Sequence, residues 1–278
     1  MILDGRKAAA EIRADVAAKL KQKKLKASLA VVLVGKNPSS VLYTNLKHKA
    51  CQEACIESRN FELDENASEK ELLSLIDLLN ADEKFDGILV QLPLPKHINT
   101  AHVLAAIKPE KDVDGLNPVN LGGLLIKQEL FIPCTPKGIL RLLEKYKVDV
   151  KGKRCVIVGD SVEVGKPLAV CLLNRGATVF VCNEHTRNLA SITREADILV
   201  SATGVPHLIE KDMVKPGAVV IDVGISQVGG KITGDVDFAE VEKVASAITP
   251  VPGGVGPMTI AMLLENTLLA AERRRKTF

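Results

Sequence analysis

The chain has 278 residues, 46% hydrophobic and only 3% aromatic with no Trp, so Val, Ile, Leu and Ala must fill its core. Its 37 Lys and Arg stand against 34 Asp and Glu, a formal charge of +3 that, without stacking rings, gives no reason to expect a nucleic-acid partner. Every apolar run is broken by Gly, Asp or Lys before spanning length, and Met1-Ile-Leu-Asp-Gly-Arg-Lys7 becomes charged too early for a secretory signal, so no membrane partner is expected either.

In chain order, Arg6–Lys26 carries Ala, Ile, Val and Leu on one face and charges opposite, which predicts a helix. Leu29–Val34 is an aliphatic run, read as a buried strand, and Gly35-Lys-Asn-Pro38 ends it. Ser39 or Ser40 is placed to cap the next helix. That helix carries Tyr43 and Lys47, four apart and so on one face, while Lys49 points elsewhere toward water. A ring and an ammonium so paired can stack on a flat heterocycle and reach its reactive carbon, although such a pair alone is more often structural or exposed. Glu69–Asn80 predicts another helix and Gly87–Val90 another strand, and this alternation predicts a parallel sheet. In Val90-Gln-Leu-Pro-Leu-Pro95 the prolines end the strand and leave Gln91 at the sheet edge, where ligands bind. Lys111-Asp-Val-Asp114-Gly115 adds a carboxylate before a turn, equally readable as a solvated acidic turn.

Leu116–Ile132, rich in Gly, Asn and Pro, is expected to cross between domains, and Thr135-Pro136 to cap a helix over Lys137–Lys145. A second α/β unit begins at Cys155, with strands expected at Cys155–Val158, Thr178–Val181, Ile198–Ser201 and Val219–Val223, and one more before Thr249. Gly159-Asp-Ser161-Val-Glu-Val-Gly165-Lys-Pro167 runs from the first of these into a helix that continues through Leu168–Leu173. Its glycine spacing is not GxGxxG. Even so, Gly159 permits a tight turn, Ser161 can donate to a phosphate, and the helix start presents backbone N–H groups to one. Ala202-Thr-Gly204-Val-Pro206 and Asp222-Val-Gly-Ile225-Ser226 also follow strand ends, and three such loops line the crevice of an open sheet. Glu184, after the second strand of this unit, can accept hydrogen bonds from an adenosine ribose, which favours NAD; His185 and Arg187 offer some compensation toward NADP. The last helix, Pro257–Arg273, has no strand after it and is expected to pack back on the first domain. Cysteines at 51, 55, 134, 155, 171 and 182 form no CxxC pair, which predicts buried reduced thiols in a cytoplasmic protein and no metal site.

Together these segments resemble the bifunctional methylenetetrahydrofolate dehydrogenase/methenyltetrahydrofolate cyclohydrolase family. The matching stretches are Tyr43-Thr-Asn-Leu-Lys47, Gln91-Leu-Pro-Leu-Pro95, Lys111-Asp-Val-Asp-Gly-Leu-Asn-Pro118, Pro133-Cys-Thr-Pro136, Gly159–Pro167, Asp222-Val-Gly-Ile225, Gly234-Asp-Val-Asp237 and Pro250-Val-Pro-Gly-Gly-Val-Gly-Pro-Met-Thr259. They span essentially the whole chain in one order. The resemblance implies an α/β, two-domain subunit. A discontinuous N-terminal parallel α/β catalytic domain would comprise 1–133 plus 257–278, and a Rossmann-like dinucleotide-binding domain 134–256. A folate cleft would lie between them, in a homodimer.

It further implies oxidation of 5,10-methylenetetrahydrofolate by hydride transfer to a nicotinamide cofactor, then hydrolysis of the methenyl product to 10-formyltetrahydrofolate, a one-carbon donor for purine biosynthesis. Lys47 would be the principal group of the hydrolysis, held by Gln91. Tyr43 would stack on the folate, Asp114 would bond the pterin, and Val90 and Leu92 would flank Gln91 at the substrate. Pro252, Gly253, Gly254, Val255 and Gly256 would close over it. Cofactor contacts would come from Thr135, Gly159, Asp160, Ser161, Val164, Gly165, Glu184, Thr203, Gly204 and Ile225. Two departures bear on the cofactor. The family has Gly-Arg-Ser where Asp160 stands, and often Cys-His before Ser or Arg where this chain has Cys182-Asn183-Glu184. The family thus favours NADP and the local charge NAD. The competing readings are a cyclohydrolase with weak or lost dehydrogenase activity and a noncatalytic nucleotide sensor.

Overall fold

The computed structural model describes residues 1–276. The chain divides into two compact units, one of Met1–Ala9 with Thr135–Thr259, the other of Ala10–Cys134 with the chain from Ile260 onward.

The elements before the first long crossing are α1 (Gly5–Gln22), β1 (Ser28–Val34), α2 (Pro38–Glu53), β2 (Glu57–Leu63), α3 (Glu69–Ala81), β3 (Gly87–Val90), α4 (Thr100–Ala106) and α5 (Pro118–Leu125). β1 is buried along its whole length and pairs in parallel with β2 on one side and β3 on the other. Ala30, Val32 and Val34 of β1 join Ile88 and Val90 of β3 in one core. α3 closes that core with Leu72, Ile76 and Leu79, spaced to fall on one helical face. Its start is set by Ser68, whose hydroxyl accepts from the Glu71 amide while the Glu71 carboxylate accepts from the Ser68 amide.

Three features differ from the sequence reading. α2 is capped by Asn37, whose side chain accepts from the Ser39 and Ser40 amides with Pro38 in the first turn, rather than by Ser39 or Ser40. β2 was not anticipated, because its sequence ESRNFEL is mostly polar; it pairs along β1, and Phe61 and Leu63 pack against the core. Leu116–Ile132 is not a crossing segment: it lies within one unit and contains α5, with Asn117 accepting from the Val119 amide at 2.7 Å and Pro118 next to it.

The other unit holds α6 (Cys134–Lys145), β4 (Arg154–Val158), α7 (Gly165–Asn174), β5 (Thr178–Cys182), α8 (Leu189–Thr193), β6 (Ile198–Ser201), β7 (Val219–Asp222), β8 (Ser226–Val228), β9 (Lys231–Thr233), α9 (Phe238–Val241) and β10 (Ala247–Ile248). α10 (Val255–Lys276) ends the described chain. Five strands form a parallel sheet in the order β10-β7-β6-β4-β5, and β8 and β9 form a separate antiparallel hairpin. Strand order reverses at β4, with β5 on one side and β6 on the other. In an open sheet that reversal opens a crevice at the carboxyl ends of the strands. Met1–Ala9 belongs here because Ile2 bridges Ile248 and the Leu3 amide donates to the Ile248 carbonyl at 2.9 Å, whereas the sequence reading grouped 1–133 together.

α10 from Ile260 onward groups with the first sheet, where Asn266 Nδ2 donates to the carbonyls of Val113 (2.9 Å) and Ile132 (3.2 Å). All six cysteines are free; five are buried, while Cys55 is exposed, contrary to a uniformly buried set. No helix among the described residues is long and apolar enough to cross a membrane.

Candidate active site

α2 places Tyr43 and Lys47 on one face, and Lys47 Nζ donates to Gln91 Oε1 at 2.9 Å. Gln91 follows β3 directly. Its backbone amide extends the ladder to the Val32 carbonyl (2.8 Å), and its side-chain Nε2 donates to the Leu92 carbonyl (2.7 Å). That second bond orients the amide so that its oxygen faces the ammonium. Lys47 is partly buried, and desolvation lowers its pKa from the ordinary lysine value; the charge of Asp114 opposes the shift. Burial also raises the Tyr43 phenol. Lys49 is exposed, as the helical wheel predicts. Val90 is 3% exposed and its side chain lies in the core, so it can offer a ligand only backbone.

Asp114 sits in a loop anchored by Asp112, a residue that sequence reasoning passed over. Asp112 Oδ1 accepts from the Gly115 amide (3.1 Å), and its Oδ2 accepts from the Asn117 amide and Asn120 Nδ2 (both 2.7 Å). Burial pushes the Asp112 carboxyl up to about 6, against those hydrogen bonds and with the help of the Asp114 charge. The available signal was the Asp-x-x-Gly spacing, which suits a side chain folding back on a turn amide.

On the other sheet, the turn after β4 lies at the strand-order reversal. Gly159 has φ +110°, and a Cβ there would lie 2.3 Å from the Ala202 carbonyl oxygen, so the turn packs directly on the one that follows β6. Ser161 Oγ accepts from the Val164 amide at 3.1 Å, and α7 then starts at Gly165 with no side chain capping it. In that first turn the Lys166 amide donates to the Ser161 carbonyl (3.0 Å) and Pro167 has no N–H, which leaves the Gly165 amide to meet a dinucleotide phosphate.

Thr203 and Gly204 follow β6, and Ile225, which is exposed, follows β7. Asp160 Oδ2 lies 3.6 Å from Lys166 Nζ and 3.5 Å from Asn183 Nδ2, whereas Glu184 is solvent-exposed beside His185 at 3.7 Å. Thr135 lies in the first turn of α6 rather than at its cap, and its hydroxyl bonds Thr259 Oγ1 at 3.0 Å. Pro252–Gly256 groups with this sheet too. There the Gly253 carbonyl accepts from the Arg6 amide (3.0 Å) and the Gly254 amide donates to the Pro250 carbonyl (2.8 Å). Lys47, Gln91 and Asp114 are thus gathered in one unit, and the residues read as cofactor contacts in the other.

Residues 3–114 match the family described as tetrahydrofolate dehydrogenase/cyclohydrolase, catalytic domain, and residues 133–275 match tetrahydrofolate dehydrogenase/cyclohydrolase, NAD(P)-binding domain. The chain is 53% identical over 279 residues to bifunctional protein FolD of Aquifex aeolicus, covering 99% of this chain and 96% of that one. The bifunctional FolD methylenetetrahydrofolate dehydrogenase/cyclohydrolase of Campylobacter jejuni is similar in structure, with a TM-score of 0.96 at 51% identity and 99% of each chain covered. The Trypanosoma brucei methylenetetrahydrofolate dehydrogenase-cyclohydrolase, solved with NADP and an inhibitor, gives 0.95 at 38% identity over 99% of this chain and 98% of that one. With both halves matched, in order and at nearly full coverage, this chain belongs to the tetrahydrofolate dehydrogenase/cyclohydrolase family.

Proposed function

We propose that this protein oxidises 5,10-methylenetetrahydrofolate to the 5,10-methenyl form with a nicotinamide dinucleotide and hydrolyses that product to 10-formyltetrahydrofolate. The observation that carries the reading is the Lys47–Gln91 bond, at 2.9 Å, on a lysine whose proton affinity burial has lowered.

A bound nicotinamide dinucleotide supplies the hydride acceptor. As the hydride leaves the one-carbon bridge, the lone pair of the neighbouring folate nitrogen takes up the developing positive charge, so this step asks no base of the protein. Tyr43 stacks on the ring, Asp114 bonds the pterin, and Pro252–Gly256 cover the substrate. Orientation supplies much of the rate.

In hydrolysis, water adds to the methenyl carbon and the neutral Lys47 amine takes one of its protons. The carbon–N5 bond then breaks, N5 keeps the electron pair and receives that proton from Lys47, and the hydroxyl proton leaves as the formyl C=O forms on N10. One water is consumed and one proton released. Burial raises the fraction of Lys47 available as free amine, and the cationic methenyl ring lowers its pKa further. Gln91 holds the amine in place. The test is the pH profile of methenyl hydrolysis for wild type and Lys47→Met. A loss of roughly 100-fold or more is expected; substantial retained hydrolysis refutes the role.

The dinucleotide proposed is NADP, which the Trypanosoma brucei relative carries, with Lys166 beside Asp160 offsetting part of that carboxylate's charge. Asp160 and Glu184 favour NAD as the second reading, and separate turnover assays with each cofactor decide between them. Failure with both, beside intact hydrolysis, would mark a cyclohydrolase alone. The six free cysteines suit the reducing cytoplasm. A homodimer fits the sheet edge at β5, where Phe180 (40% exposed) and Val181 (44%) face outward, and light scattering in solution tests it.

A further inference from the structure

The turns that follow β6 and β7 are tied together by two carboxylates that take no part in the chemistry above. Asp235, beyond β9, is 0% exposed. Three donors converge on its Oδ2: Ser201 Oγ (2.9 Å), the Thr203 amide (2.7 Å) and Thr203 Oγ1 (2.9 Å). Its Oδ1 has no hydrogen-bond partner among the described residues and rests against Gly224, where an added Cβ would lie 1.8 Å away. Asp222 completes the brace from the other side, its Oδ1 accepting from the amides of Gly224 (3.1 Å) and Asp235 (3.0 Å) and its Oδ2 from the amide of Val236 (3.0 Å). Further out, Ser226 Oγ donates to the Gly204 carbonyl at 2.9 Å.

A half-satisfied carboxylate at this depth is costly, and a brace needed only for stability could use a neutral amide. Here the bonds are spent on Ser201 and Thr203, the two residues that lead into Gly204. Both Thr203 donors are turned inward by one charged oxygen, and that fixes how the turn presents itself to a ligand. Charge-assisted bonds are roughly twice as strong as neutral ones, so a carboxylate holds this turn more firmly than an amide.

We propose that Asp235 is a positioning residue for the dinucleotide, setting the Thr203–Gly204 turn against Gly224–Ile225 so that the cofactor meets a preformed surface. This inference rests on the functional reading above, and one pair of assays separates the two. Methenyl hydrolysis, run without nucleotide, needs no dinucleotide surface and reports on folding. Asp235→Ala is expected to raise the cofactor KM of the dehydrogenase tenfold or more while leaving kcat/KM for hydrolysis within twofold. Asp235→Asn, which keeps the shape and one acceptor, is expected to fall between wild type and Ala, at about a threefold rise. If the Ala variant loses hydrolysis as well, the Asn variant decides: a raised cofactor KM beside intact hydrolysis supports the role, and an unchanged cofactor KM overturns it. Wild-type protein inactive in both assays would instead defeat the functional reading.

Discussion

Lys47 and Gln91, 44 residues apart in sequence, are joined by a 2.9 Å hydrogen bond that links the middle of α2 to the residue after β3. Because Gln91 is itself fixed by the Leu92 carbonyl, the pair behaves as one unit in which the glutamine sets the position of the amine. Replacing Gln91 by Glu puts a negative charge beside the ammonium and favours the protonated form. The pH at which methenyl hydrolysis rises should then move upward by about one unit, while Gln91→Ala should lower kcat roughly tenfold through lost orientation. A pH–rate profile unchanged in Gln91→Glu would show that the bond does not govern the proton affinity of Lys47.

Asp112 makes a prediction about stability. Its folded pKa, about 6, lies above that of an unfolded aspartate, so the folded chain holds the proton more tightly. The associated stabilisation is complete below the unfolded pKa and is lost as pH rises through about 6. Asp112→Asn carries no such titration but turns an amide NH₂ toward one of the donors that Asp112 accepts. It should therefore be destabilised most near pH 4, with the deficit shrinking by up to ~3 kcal/mol toward pH 7. Denaturant titrations at several pH values measure this; a deficit independent of pH would contradict it.

Thr44, on the same helix as Tyr43 and Lys47, is 2% exposed, and its hydroxyl has no hydrogen-bond partner among the described residues. Valine has nearly the same shape without the buried polar atom. Thr44→Val should raise stability by ~1 kcal/mol and the melting midpoint by roughly 2–4 °C. An unchanged or lower midpoint in calorimetry would mean that the hydroxyl is satisfied in solution.

In the function proposed above Asp160 faces the extra phosphate of NADP; its carboxylate lies 3.6 Å from Lys166 Nζ. Removing its charge in Asp160→Ser should raise kcat/KM with NADP about fivefold and leave NAD within twofold. Parallel assays with the two cofactors measure this, and equal gains with both would rule out an effect on the added phosphate.

How legible these features were depended on whether a feature carried its own pattern. β1 and β4 stand out as uninterrupted aliphatic runs, and the Tyr43–Lys47 pairing follows from helical spacing alone. β2 carries Glu57, Arg59, Asn60 and Glu62, and becomes a strand because β1 offers it a backbone ladder, something no local window contains. α5 was hidden by Gly122 and Gly123, although Asn117-Pro118 held the same start signal that was applied to Thr135-Pro136. The residue types of the candidate site were visible, and their roles came from family resemblance. Of the anchors behind them, Asp112 had a local signal in its Asp-x-x-Gly spacing, whereas Asp235 had none, since it bonds the Thr203 amide 32 residues away.

Asn266 reaches back to the carbonyls of Val113 and Ile132, across a separation of 153 and 134 residues. On the ribosome, therefore, the stretch bearing Lys47 and Asp114 emerges well before its last partner, because Thr135–Thr259 must be synthesised in between. A nascent chain halted before residue 260 would leave the Val113 carbonyl without its Asn266 donor, and this half of the protein would be exposed to chaperones and proteases until α10 has been synthesised.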